Sequence, residues 1–132
     1  MANLADVYDY IFSSFLRRML SKADTNTIIV VRADHGLQAG PQTADYSIQI
    51  EALRPMTHII VPKQLQGLSL SKLFDNQNRL ATGFDLYNTL ASSVVGDNKS
   101  LMPMPPPWSK HLWQESITNS RTCADAKVPG RR

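Results

Sequence analysis

The stretch Asn26 to Gly36, NTIIVVRADHG, decides how this chain is read. Ile28, Ile29, Val30 and Val31 form an uninterrupted β-branched run. That predicts a buried strand, because a strand covered on both faces needs no polar alternation. The run stops in an acid, an imidazole and a glycine. In open α/β sheets ligands sit beyond the carboxyl ends of the strands, which puts Asp34 and His35 on a functional rim. Neighbouring strand residues point to opposite faces, so both can serve one site only if the chain turns at Ala33 or Asp34. Gly36 supplies the backbone freedom for such a turn. An oxygen donor beside a nitrogen donor suits a hard or borderline divalent cation, with further ligands from elsewhere. The same residues also read as a plain strand-ending turn, Asp34 bonding its own backbone and His35 facing water.

Upstream, Leu4, Val7, Tyr8, Ile11, Phe12, Phe15, Leu16, Met19 and Leu20 recur at spacings of three and four, the pattern of an amphipathic helix with its stripe in a core. Asn3 or Asp6 caps it, Arg17, Arg18 and Lys22 suit its carboxyl end, and Ser21 to Thr27 is a polar connection. Helix, short loop and buried strand make half of a β-α-β unit.

Downstream, Leu37 to Thr43, with Gly40 and Pro41, reads as a loop at the site, and Ala44 to Leu53 as a short helix or an irregular segment. Pro55 drives Arg54 to extended geometry, and Met56 to Val61 is a second strand stopped by Pro62, with His58 a structural mid-strand residue. Lys63 to Gly67 reads as a surface loop, Ser69 to Phe74 as a short helix turning Leu70, Leu73 and Phe74 inward, and Asp75 to Arg79 as a turn. Asp85 then caps a second amphipathic helix carrying Leu86, Tyr87, Leu90, Ala91, Val94 and Val95 and ending at Gly96.

From Asp97 the character changes. The prolines of Leu101 to Trp108, LMPMPPPW, exclude a helix interior or a central strand. Two readings stand: an arm packed on its own domain with Trp108 as anchor, or an interaction module docking an SH3- or WW-type partner through Pro105, Pro106, Pro107 and Trp108. Leu112, Trp113 and Ile117 suggest a turn or two of helix, and the rest is loop. The expected division is an α/β domain over residues 1–96 and a Pro-rich irregular segment over 97–132.

With 132 residues, 42% of them hydrophobic, the chain can build a core and is not of disordered composition. Fourteen basic against eleven acidic residues leave a net charge of +3, partly from Lys127, Arg131 and Arg132. No basic stripe interleaved with aromatics accompanies it, which argues against a nucleic-acid partner. No stretch approaches the ~18 apolar residues of a membrane span, and MANLADVYDY has acids where a secretory signal carries basic residues. Cys123 is the single cysteine, so no internal disulfide framework exists. There is no Gly-rich phosphate loop, paired-cysteine zinc knuckle or Gly-x-Ser-x-Gly elbow, and Ser13, Ser14, Ser92 and Ser93 lie within helical patterns.

Taken in order, the helix, DTNTIIVVRADHG, EALRPMTHIIVP and FDLYNTLASSVVG resemble the carboxyl-terminal part of the sulfatase and alkaline-phosphatase-like superfamily. In that group a strand ends in an Asp-His-Gly or Asp-Asn-Gly metal motif, an acid-and-proline segment precedes the next strand, and a later helix opens on an Asp-Leu-Pro-Thr-Leu-like pattern. Asp85, Leu86, Thr89 and Leu90 match the last, with Asn88 where proline is common. Closer still is the resemblance to the sulfatase-like DUF229 family, including its Arg-Thr-Cys-Ala-Asp-Ala signature at Arg121 to Ala126.

The resemblance implies a partial alkaline-phosphatase-like three-layer α/β fold and hydrolysis of a sulfate or phosphate ester substrate at a divalent metal, calcium or zinc. Asp34 and His35 would be two of the ligands, and Gly36 and Glu51 would order the supporting loop. The family's nucleophile and earlier Asp ligands have no match here. The expectation is therefore a fragment of such an enzyme, inactive alone, prone to self-association through exposed sheet edges, from a secreted or membrane-anchored parent.

Overall fold

In a computed structural model, residues 4–36, 45–63, 70–95 and 103–129 are described. The loop expected at Leu37 to Thr43, most of the Lys63 to Gly67 loop, the helix end at Gly96, the start of the Pro-rich run and the Arg131–Arg132 tail lie outside them. Two compact units divide the chain, residues 1–65 and 66–132.

The first unit contains α1 (Leu4–Lys22), β1 (Ile29–Arg32), α2 (Tyr46–Leu53) and β2 (Thr57–Ile60). The two strands pair antiparallel, with Ile29 opposite Ile60, Val30 opposite Ile59, Val31 opposite His58 and Arg32 opposite Thr57. The pairing outlasts the strands: Ala33 N–H donates to Met56 O at 3.0 Å and Gly36 N–H to Ala52 O at 3.3 Å. Residues 33–36 therefore run beside the α2–β2 connection, which fixes where the Asp-His-Gly turn lies.

Two expectations need correction. The apolar run is not buried on both faces: Ile29, Val30 and Val31 are half-buried and Arg32 is exposed. Among the described residues the sheet has two strands, so neither partner is flanked on its outer edge. These strands, joined through α2, are antiparallel neighbours. The α1 stripe is not a core either, because Tyr8, Ile11, Phe12, Phe15, Met19 and Leu20 are all exposed. Periodicity gives a helix its apolar face, but only a packed neighbour removes that face from water.

The second unit contains α3 (Leu70–Asn76), α4 (Gly83–Val95) and the irregular segment 103–129. Its core joins Leu86 and Ala91 of α4 to Leu112, Trp113, Ile117 and Ala126 of the segment. Asn76, Asp85, Thr89, Ser109 and His111 are buried with them. An irregular segment has no ladder to satisfy its amides and carbonyls, so other groups must do so. Asn76, which the sequence assigned to a turn, ends α3 and serves three of them. Its Nδ2 donates to Leu112 O at 2.8 Å and to Glu115 O at 2.9 Å, while its Oδ1 accepts from Ile117 N–H at 2.8 Å. Thr89 Oγ1 donates to Asp85 O at 2.7 Å and accepts from Leu112 N–H at 2.8 Å. Phe74, expected inside, is exposed.

Asp85 is the hub of the unit. The cap of α4 is Thr82 and not Asp85: Thr82 N–H and its hydroxyl donate to Asp85 Oδ2 at 2.6 and 2.8 Å, and Asp85 N–H reaches back to Thr82 Oγ1 at 3.4 Å. That is a reciprocal capping box with aspartate in the third helical position. Asp85 Oδ1 also accepts Lys110 N–H at 2.6 Å. Arg121 closes the site with two parallel bonds, Nη1 to Oδ2 at 2.9 Å and Nη2 to Oδ1 at 3.0 Å. The same two nitrogens also donate outward, Nη1 to Leu80 O at 3.0 Å and Nη2 to Trp108 O at 3.1 Å. The Asp85 and Arg121 side chains are 0% and 6% exposed. Burial by itself would raise the Asp85 carboxyl, but Arg121, the Lys110 amide and the Thr82 donors outweigh it and hold the group below its ordinary 3.8.

Thr122 and Asp125 repeat the box: Thr122 N–H and hydroxyl donate to Asp125 Oδ2 at 2.8 and 2.7 Å. The following turn ends with Val128 N–H on Cys123 O and Lys127 N–H on Ala124 O, around Lys127 at φ 54°. That is a Schellman termination with lysine where glycine is favoured.

Replacing Arg121 by Met leaves the Asp85 carboxylate buried without its counter-charge, and should cost about 3–5 kcal/mol in urea unfolding of the chain. The double variant Asp85→Leu/Arg121→Met should recover part of that loss. Because the folded Asp85 lies below its ordinary value, its contribution is complete above about pH 3.8 and disappears as pH falls through the folded value. Lys127→Gly should stabilise the chain by about 0.5–1 kcal/mol in the same measurement, by relieving the left-handed backbone of a residue with a Cβ.

Candidate metal centre

β1 ends at Arg32, one further ladder bond holds Ala33, and the chain then turns. The turn puts Asp34 and His35 on the same side. Asp34 Oδ1 accepts the His35 backbone N–H at 2.8 Å, and the other carboxylate oxygen, Oδ2, lies 3.4 Å from His35 Nε2. His35 Nδ1 lies 2.8 Å from Gly36 O. A carbonyl oxygen only accepts, so Nδ1 carries a hydrogen, and whenever the ring is neutral its lone pair lies at Nε2. Nε2 and Oδ2 thus face each other at the strand end, an ion pair when the ring is protonated and two lone-pair donors when it is neutral. The His35 N–H, and secondly the His35 ring, hold the Asp34 carboxyl below its ordinary 3.8, so it is ionised at neutral pH.

The plain-turn reading is present in the same geometry. Asp34 does bond the adjacent backbone, and the side chains of Asp34 and His35 are 86% and 48% exposed. What a plain turn does not require is the orientation of the ring. A backbone acceptor on Nδ1 that fixes the tautomer and aims Nε2 outward is the usual support of a metal-bound histidine.

Gly36 contributes twice, its carbonyl to the ring and its amide to Ala52 O. Ala52 follows Glu51 in α2, so the turn is tied to the segment that carries that acid; the Glu51 side chain lies outside the described residues. His58 is exposed in β2, opposite Val31. Among the described residues no group of three or more His, Cys, Asp or Glu side chains could hold a metal ion.

The donors present fit a divalent cation in kind: one carboxylate oxygen, one imidazole nitrogen. They also fit in spacing, since two ligands at ~2.1 Å from a tetrahedral zinc lie roughly 3.4 Å apart.

The Pro-rich arm packs on its own unit. Tyr87 hydroxyl donates to Pro103 O at 2.6 Å, Ser109 N–H and hydroxyl to Pro106 O at 2.9 and 2.6 Å, and Trp108 stands edge-on to Phe84 with ring centroids 6.2 Å apart. Pro105 and Pro106 are half-buried, and Pro107 is exposed. Ser13, Ser92 and Ser93 bond groups within their own helices.

What sequence reasoning missed is the role of the Arg121–Ala126 signature. Arg121 neutralises Asp85, Thr122 and Asp125 cap each other, and Ala126 is fully buried. Cys123 is exposed and free. The legible signal was the Thr-x-x-Asp spacing, present at both Thr82–Asp85 and Thr122–Asp125. Among the described residues no helix is long and apolar enough to cross a membrane.

No curated protein and no solved structure matches the chain. A family model described as "Protein of unknown function (DUF229)" matches residues 1–131, nearly the whole sequence. The chain therefore belongs to the DUF229 family.

Proposed function

We propose that this chain is part of a metal-dependent sulfate or phosphate ester hydrolase of alkaline-phosphatase-like fold, and that Asp34 and His35 supply two ligands of its metal. The observation that carries the reading is the 3.4 Å approach of Asp34 Oδ2 to His35 Nε2, with Nδ1 turned to Gly36 O. Supporting it is the ordered resemblance of the helix, the Asp-His-Gly strand, the acid-and-proline segment and the Asp85 helix to that superfamily.

A bound divalent cation, calcium or zinc, would polarise an ester oxygen and offset charge developing on the leaving oxygen. The chain's own residues do the holding. Asp34 stays ionised because the His35 amide binds its carboxylate, and the Gly36 carbonyl fixes the imidazole tautomer. Gly36 N–H ties the turn to α2. Two donors make a weak site, since affinity follows completion of the ligand shell and its supports. The remaining ligands and the nucleophile belong to other parts of the enzyme in this reading, so the chain alone turns over no ester.

Titration of the purified chain with zinc or calcium by calorimetry should show weak binding that falls at least ~10-fold in Asp34→Ala. Indistinguishable titrations of the two proteins would remove Asp34 from the ligand set. The chain should hydrolyse neither p-nitrophenyl phosphate nor p-nitrophenyl sulfate with either metal; measurable turnover would overturn its inactivity alone. In an NMR titration, His35→Ala should raise the Asp34 carboxyl only part of the way to 3.8, because the larger cause, the backbone N–H of residue 35, remains.

A further inference from the structure

His111 is 5% exposed, yet its Nδ1 is buried without a hydrogen-bond partner. Its ring stands edge-on to Trp113, centroids 5.7 Å apart. A neutral imidazole tolerates such a seat with an unfilled lone pair. A protonated one would bury a cation whose Nδ1–H has no well-placed acceptor, the residue's own carbonyl compensating only in part.

Position gives this residue leverage. Its two neighbours carry main-chain attachments of the segment to α4: Lys110 N–H on Asp85 Oδ1 at 2.6 Å and Leu112 N–H on Thr89 Oγ1 at 2.8 Å. Leu112 O also accepts from Asn76 of α3. Moving residue 111 pulls on all three bonds.

We propose that the 111–115 turn is an acid-sensitive latch, in which loading a proton on the buried His111 ring unseats it and frees segment 103–129 from α3 and α4. The charged groups around the turn do not rescue the imidazolium. Glu115 is the carboxylate that bears on it, but Oε1 already accepts His111 N–H and Oε2 accepts Lys110 Nζ, both at 2.9 Å. On α4 the charged group joined to the turn is Asp85, closed by Arg121. On α3 it is a further cation, Lys72, donating to Gln114 O at 2.6 Å.

Burial lowers His111 below its ordinary 6.5, and Glu115 and the residue's own carbonyl offset only part of this. A group depressed in the folded state contributes its full stability above 6.5 and loses it as pH falls through the folded value. Asp85 and Glu115, held below 3.8 and 4.5, act in a more acidic range, so the histidine has its own window.

The test follows urea unfolding of the full chain by tryptophan fluorescence at pH 7.5 and 5.5. The wild-type midpoint should fall, and the fall should be largely absent in His111→Phe. Each pH unit by which the ring's midpoint sits below 6.5 makes the freed state about ten-fold more populated at acid pH. An equal fall in both proteins would overturn the latch. The wild-type imidazole titration by NMR, with His35→Asn and His58→Asn assigning the other two rings, decides the matter even if His111→Phe does not fold. A midpoint below 6.5 supports the proposal, and one at or above 6.5 ends it.

Discussion

The buried pair of Asp85 and Arg121 is the constraint on which the second unit depends. A carboxylate taken wholly out of water is tolerable only when charge and hydrogen bonds surround it, and this one accepts from Thr82, Lys110 and Arg121. Each donor fixes a different piece of chain: the start of α4, the turn after the Pro-rich arm, and the signature near the carboxyl end. A segment with almost no regular structure thereby acquires a defined path. Asn76 and Thr89 finish the task by taking the amides and carbonyls that the pair does not reach. The surface pair Lys110–Glu115, with side chains 44% and 42% exposed, adds little by comparison.

Where the sequence could be read, local rules sufficed. The spacing of apolar residues placed α1 and α4, the β-branched runs placed both strands, and the prolines excluded regular structure over 103–108. Burial was harder, because it depends on neighbours that no local window contains. The α1 stripe is helical and exposed; Asn76 has a turn-former's identity and is among the most buried residues. Asp85 was legible as a helix-start residue and illegible as half of an ion pair, since its partner lies 36 positions away. The strand direction was likewise hidden, because an apolar run carries no mark of which way its neighbour points.

The Asp34–His35 turn differs in kind from the rest. The bonds among Asp34, His35 and Gly36 lie within three consecutive residues and so follow from the sequence locally, while Ala33 and Gly36 are held to Met56 and Ala52. That explains why it could be singled out from eleven letters of sequence. It also explains why the turn can form at an exposed surface: a ring orientation set by the next carbonyl needs no tertiary packing.

One consequence of the Asp85–Arg121 pairing concerns synthesis. The chain is made from its amino end, so α4 emerges with a carboxylate destined for the interior long before the guanidinium that matches it exists. Until residue 121 leaves the ribosome, Asp85 must remain hydrated and the helix face around it unfinished. A chain ending anywhere in that interval keeps Asp85 without its counter-charge, so the second unit cannot close around it.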